Sequence, residues 1–349
     1  MKAITKPILC VFLTFLVSSH GFSQPPTVNG VPNRSQSGPW DNDVDVYRLS
    51  PDGTAKELAR FDRAGVPTVA RLADGRLMAA HQYFPETNDA EFDKVAVHFC
   101  RDEGKTWSPP EVISLSGLPD GMRFPFDPTL VPLPDGRVRL YFTSVKQFDA
   151  GRTKPAIYSA VSSNTLDFVV EPGLRFGIEG RPVIDCAVAL HNGTFHRFSP
   201  DNGTGENPNV PQQQQGNAER PRDGVGYHAV SKDGLHFTRE PDVLMGSGAR
   251  WLGNALSDGK YLYFFGTSNR GMWMSSSIDG TTWTRARTFN VQGADPGAAM
   301  LKDGGVLLLA TSPPRRGARA QQGGLNRPQP ALRQRQPAGG GAAGIVVNP

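Results

Sequence analysis

Five times along the chain an apolar segment, an Asx-Gly pair and a second apolar segment follow one another. The pairs are Asp74-Gly75, Asp135-Gly136, Asn192-Gly193, Asp258-Gly259 and Asp303-Gly304. Such pairs are the strongest short-range hairpin signal, because both positions tolerate positive φ. A third apolar strand follows four of the hairpins, at 94–99, 156–161, 226–230 and 271–275. Each third strand runs into a similarly spelled turn: Cys100-Arg-Asp102-Glu-Gly104-Lys-Thr106-Trp107, Ser162-Ser-Asn164-Thr-Leu-Asp-Phe168, Ser231-Lys-Asp233-Gly234-Leu-His-Phe237 and Ser277-Ile-Asp279-Gly280-Thr-Thr-Trp283. A small residue, an Asp or Asn and a closing aromatic describe a side-chain-capped turn whose ring fills the gap between neighbouring sheets. A fourth strand leaves the turn, as at 111–115 and 285–291.

Four antiparallel strands in a repeating unit predict the blades of a β-propeller. The fifth hairpin lacks its third and fourth strands, because the chain after Ser312 turns to Pro, Gln, Gly and Arg. The missing pair lies at the other end, where 43–49 and 55–61 read as strands around Ser50-Pro-Asp52-Gly53. The expected fold is all-β, a propeller of five blades and twenty strands, closed when the N-terminal strands complete the last blade; a six-bladed ring is the alternative. Closure of this kind removes exposed sheet edges.

Residues 1–23 carry Lys2 and Lys6, an apolar run over 7–17 and a short polar end, the pattern of a secretory leader too short for an ordinary membrane span. The exported chain then divides into a linker (24–42), the propeller (43–311) and a tail (312–349) whose composition predicts disorder. Another polar stretch, 200–223, interrupts blade three as a long loop. The formal net charge is +4, but six arginines beyond residue 312 and two leader lysines supply more than that surplus. Basicity therefore belongs to the ends and does not mark a nucleic-acid surface. Cys100 and Cys186 are expected as free buried thiols, and His191 and His196 as surface residues flanking a hairpin.

Inner strands of a propeller line its central channel. About eight residues before each turn, that position holds Val66, Asp127, Asp185 and Asp295. Three acids at one repeat position are expected to meet in one funnel. Paired carboxyls are what glycoside hydrolysis needs, one to protonate the leaving oxygen and one to act as base or nucleophile. Asp127 and Asp185 are the first candidates, while Asp295 is suited to tune them by like-charge repulsion or to hold a calcium ion in the channel. Arg63, Arg123, Arg181 and Arg250 recur at the entries to four blades, and guanidinium forks suit the carboxylate or sulfate of an acidic sugar. Trp251 and Tyr227 are candidate rings for sugar contact, although aromatics also fill the space between blades. Glu179 and the group Glu86, Asp89, Glu91 and Asp93 are further candidates for a proton donor. The partner is a carbohydrate, with no nucleic acid, no membrane span and no second copy of the chain required. No nucleotide cofactor or zinc site is visible.

The run from Val66-Pro67-Thr68-Val69 to Asp74-Gly75, followed by Cys100-Arg-Asp102-Glu-Gly104-Lys-Thr106-Trp107, resembles the opening of the bacterial sialidase superfamily with its Asp-box turns, Ser-x-Asp-x-Gly-x-Thr-Trp. The stretch Asp127-Pro-Thr-Leu-Val-Pro-Leu-Pro-Asp135-Gly and Ser231-Lys-Asp233-Gly-Leu-His-Phe237 is more similar to five-bladed arabinanase-like glycosidases. The resemblance covers most of the chain to about residue 311 and implies an exported glycoside hydrolase. Where it implies an Arg-Ile-Pro opening, this chain has Gly65-Val66-Pro67, with Arg63 two residues earlier; Tyr227 is the third-strand tyrosine with a Gly-rich approach that could mimic the tyrosine nucleophile the resemblance implies. A propeller that binds glycans or a protein without catalysis is the alternative, since such turns are structural.

Overall fold

The computed structural model describes residues 27–28, 31–32, 38–146, 153–204 and 219–313. The leader, the tail and most of the Gln-containing stretch of the long loop fall outside the described residues.

Five sheets, antiparallel except for one outer strand, form the ring. The inner, second and third strands of blade one are Ala64–Arg71, Leu77–Tyr83 and Lys94–Cys100; those of blade two are Phe126–Pro132, Val138–Ser144 and Ala156–Ser162. Blade three has Ala187–His191, Thr194–Pro200 and Val225–Ser231, and blade four has Ala249–Ser257, Leu262–Ser268 and Gly271–Ser277. Blade five takes Ala294–Met300 and Val306–Ser312 from the end of the described chain and Asp43–Leu49 and Ala55–Phe61 from its beginning. The closure runs from the pair Val306 with Leu49 to Ser312 with Asp43, so the last second strand has no free edge.

The outer strands differ from the simple repeat. The segment expected as one fourth strand over 111–115 splits: Glu111–Val112 stays with blade one, while Ser114–Ser116 crosses to blade two and lies parallel to Asp167–Val170. Pro109-Pro110 precede the first piece, and proline removes ladder donors, which shortens it. The stretch read as a linker contributes a short pairing of Thr27–Val28 with Val31–Pro32 and a 3-10 turn, Pro39–Asp41, whose buried Trp40 packs on Phe92 at 6.3 Å.

Four of the five hairpins reach the same pairing by two kinds of turn. Only Asn192-Gly193 has both φ angles positive, 49° and 72°. At Asp74-Gly75, Asp135-Gly136 and Asp303-Gly304 only the glycine is left-handed, and its N–H donates to the carbonyl three residues back at 3.0 Å. The aspartate there caps the amide two residues on, for example Arg76 N to Asp74 Oδ1 at 3.0 Å. A type I turn followed by a glycine bulge accounts for this, and its Asp works as a cap rather than as a positive-φ residue.

Apolar side chains gather into one cluster at each junction between neighbouring blades, such as Met78, Val95, Leu130, Val138 and Phe168 between blades one and two. The capped turns hold these junctions. Asp279 Oδ1 accepts the N–H groups of Thr281 and Thr282, each at 2.8 Å, and Trp283 Nε1 donates to Gly280 O at 3.0 Å. Asp102, Asn164 and Asp233 are used in the same way. The turn glycine faces the second strand of the preceding blade: a Cβ on Gly104, Gly234 or Gly280 would lie 2.4 Å or less from Leu307, Arg139 or His196. Phe61 of blade five stacks on His98 of blade one at 4.1 Å and meets Trp107 edge-on at 5.3 Å.

His191 and His196 are buried, contrary to the surface position expected for them. His191 bonds to Ser257 Oγ at 2.7 Å and to Ile278 O at 3.0 Å in blade four, and His196 stacks on His228. Their hairpin edge is covered by the next blade, a tertiary event that local polarity does not report. Cys100 and Cys186 are free and buried. Among the described residues no helix is long and apolar enough to cross a membrane.

Candidate active site

Each inner strand is irregular where it opens onto one face of the ring. Pairing slips between Gly65 and Thr68, Phe126 and Thr129, and Ala294 and Gly297. The residue at the slip is left-handed: Val66 at φ 50°, Asp127 at 51° and Asp295 at 49°. Asp185, just before its strand, has the same conformation at 56°. Bulges turn a side chain out of the pleat, and left-handed non-glycine residues concentrate at functional sites. Here the bend sends three carboxyls into the same space.

That space is a narrow slot lined by Val66, Asp127, Asp185, Cys186, Asn254 and Asp295, with Pro67, Pro128 and Pro296 at its walls. Burial, then the nearby Asp295 carboxyl, pushes Asp127 up to about 7 against the pull of Arg123. Burial raises Asp295 to about 6, opposed by the Thr311 hydroxyl and Arg250. Asp185 is raised well above its ordinary value, first by burial and then by Asp127 and Asp295. Three acids buried in one slot oppose one another's ionisation, so their proton affinities rise together. Asp127 Oδ2 is buried without a hydrogen-bond partner.

The arginines form a collar rather than a lining. Arg123 donates to Asp93 at 2.7 Å and lies 4.2 Å from the Phe126 ring centroid, close enough to act on Asp127. Arg250 acts on both Asp185 and Asp295 and donates to Asn202 Oδ1 at 3.3 Å. Arg63 pairs with Glu86, and Arg181 with Glu219 and Asp201. Tyr227, only 2 % exposed, donates its hydroxyl to Asp201 Oδ1 at 2.7 Å, and Trp251, 1 % exposed, is packed among Phe198, Phe264, Trp273 and Trp283. Both rings are structural here and outside the slot, Tyr227 packed between blades two and three and Trp251 between blades three and four. Glu179, Glu86 and Asp89 are exposed on the surface.

Among the described residues no group of acids, histidines or cysteines is arranged to hold a metal ion.

Residues missed from the sequence are Thr143, Thr311, Asn254 and Cys186. Thr143 Oγ1 accepts the Asp185 N–H at 3.2 Å, and Thr129 Oγ1 donates to the Cys186 carbonyl. The side-chain amide of Asn254 lies 3.3 Å from Thr68 Oγ1, at the floor. A signal was present: Gln82, Thr143, Ser199, Thr267 and Thr311 recur as polar residues next to the end of each second strand.

Neither the protein-family models nor the curated proteins contain a match to the sequence. Solved structures of similar shape include an N-acetylgalactosamine deacetylase from F. plautii in complex with blood group B trisaccharide, at 12 % identity over 74 % of this chain and 81 % of that one, with a TM-score of 0.47. An alpha-L-arabinofuranosidase from Lactobacillus brevis is 14 % identical over 72 % of this chain and 84 % of that one, with a TM-score of 0.46. A Hadza microbial sialidase is 15 % identical over 80 % of this chain and 61 % of its own length, with a TM-score of 0.48.

Proposed function

We propose that the protein is an exported glycoside hydrolase that acts at the end of a glycan or polysaccharide chain, with Asp127 and Asp185 as its acid and base or nucleophile. The observation that carries this reading is the convergence of three buried carboxyls in one slot, where burial and their mutual repulsion raise the proton affinity of Asp127 and Asp185. Hydrolysis of an acetal needs a neutral carboxyl to protonate the leaving oxygen and an ionised one for the opposite role, and a shared proton supplies both forms at once. The collar of Arg123, Arg181 and Arg250 suits an acidic sugar or a sulfated one, by fork-shaped hydrogen bonding to its anion.

The test is turnover of chromogenic glycosides and of plant, algal and host glycans by the purified protein, with Asp127→Asn beside it. Hydrolysis by the native protein, reduced about 10²–10⁴-fold in a folded variant, is the expected result. Silence of the folded native protein across the panel, together with glycan binding on an array, would replace the hydrolase with a binding propeller.

A further inference from the structure

The three slot acids are not held alike. Asp127 and Asp295 lie inside their strands, with paired residues on both sides of each: Phe126 and Thr129, Ala294 and Gly297. Asp185 stands outside the ladder, since pairing of the inner strand of blade three begins only at Ala187, opposite Phe198. Hydroxyl groups hold its left-handed main chain instead. Thr143 Oγ1 of blade two accepts its N–H at 3.2 Å, much as Thr311 Oγ1 accepts that of Val66 at 2.9 Å. Ser199 Oγ donates to the Asp185 carbonyl, and Thr129 Oγ1 to that of Cys186.

Ser199 is held in turn. Arg197, two residues back and therefore on the same face of its strand, donates Nη2 to the Ser199 Oγ. This arginine is fully buried, with its Cζ 3.8 Å from the centroid of the Phe176 ring. Arg139, buried in blade two, has the Glu171 carboxylate at 2.8 Å. Among the described residues Arg197 has no carboxylate partner, and its Nε and Nη1 are buried without a hydrogen bond. A buried charge without a counter-charge opposes folding, and an apolar side chain of similar size would fill the same space at less cost. Stability therefore does not account for Arg197. Its bond to Ser199 does, because a hydroxyl that accepts from Nη2 is turned to give its own proton to the Asp185 carbonyl.

We propose that Arg197 is a positioning residue: through Ser199 it fixes the Asp185 peptide, and with it the direction in which the Asp185 carboxyl enters the slot. The consequence for catalysis rests on the hydrolase reading; the relay itself does not. Neither Arg197 nor Ser199 lines the slot, so both act on the reaction only through Asp185.

Amide hydrogen exchange followed by NMR tests the relay without any substrate. Arg197→Met removes the donor and keeps the bulk. Its Asp185 amide should exchange at least about 10-fold faster than in the native protein, while the amides of 187–191 keep their protection. Ser199→Ala should do the same, and Ser199→Thr, which retains the hydroxyl, should exchange as the native protein does. The urea midpoint of Arg197→Met should equal or exceed the native one, because an unpaired buried charge is gone. A lower midpoint, up to failure to fold, would make Arg197 a structural residue and overturn the proposal. Unchanged exchange at Asp185 in Ser199→Ala or in folded Arg197→Met would overturn it as well. If the glycoside panel yields a substrate, each of these two variants should lower kcat about 10–100-fold with KM moved less than about threefold, and the double variant should be no slower than the slower single one. Additive losses would break the relay, and an empty panel would bear on the hydrolase reading alone.

Discussion

A buried carboxyl with raised proton affinity lowers the stability of the fold that holds it. Unfolded, Asp185 ionises near the ordinary aspartate value; folded, it holds its proton to much higher pH. The folded state therefore binds more protons over that interval, and stability falls as pH rises through it. Asp185→Asn keeps the shape and removes the penalty. It should raise Tm, by more at pH 8 than at pH 4, where the unfolded aspartate also begins to hold its proton. A variant that is less stable than the native protein at pH 8 would show that the carboxyl ties the blades together. Recurrence at one repeat position made all three acids legible in the sequence. Thr143 and Thr311 were not, because a threonine near a strand end usually satisfies the same pattern by packing. Only the bulge and the neighbouring blade give these two their partners.

Strand and turn chemistry was legible wherever it was local, down to the Asp and Gly of each capped turn. What each turn touches was not. Gly280 and Gly304 have nearly the same backbone, at φ 78° and 81°, yet a Cβ on Gly280 would sit 2.3 Å from the His196 ring while one on Gly304 meets nothing within 4 Å. Gly304→Ala should cost about 1–2 kcal/mol, the strain of a left-handed alanine. Gly280→Ala should cost about 1–3 kcal/mol more, because the buried imidazole must move. Urea unfolding of the two variants compares them directly, and equal losses would mean that the turn does not press on the preceding blade. The split of 111–116 between two blades likewise depends on which sheet edge is near, and periodicity within the segment does not carry that information.

Across the whole ring, buried imidazoles work against the acids. Burial holds His81 down to about 3, His196 to about 4 and His228 to about 3. Below about 6.5 the unfolded chain takes up protons that the folded chain refuses, so stability falls from there toward pH 4. The slot acids oppose this, since they are easier to bury once protonated. We expect the urea midpoint to fall between pH 6.5 and 4, and His228→Phe, which removes a ring whose Nδ1 is buried without a partner, to shallow the fall. An unchanged slope in that variant would exclude His228 from the effect.

Hairpins, capped turns, the repeat and the completion of the last blade by the N-terminal strands were determined by the sequence itself, because each rests on residues close together or on a period that survives translation along the chain. The tertiary structure alone decided which rings are packed away between blades, which histidines are covered and which main-chain amide meets each threonine hydroxyl. Trp251 and Tyr227 read as sugar-contacting aromatics, yet Trp251 is enclosed between blades three and four and Tyr227 between blades two and three. Partners brought together from separate blades are set by the curvature of the ring, and no local pattern of residues encodes that curvature.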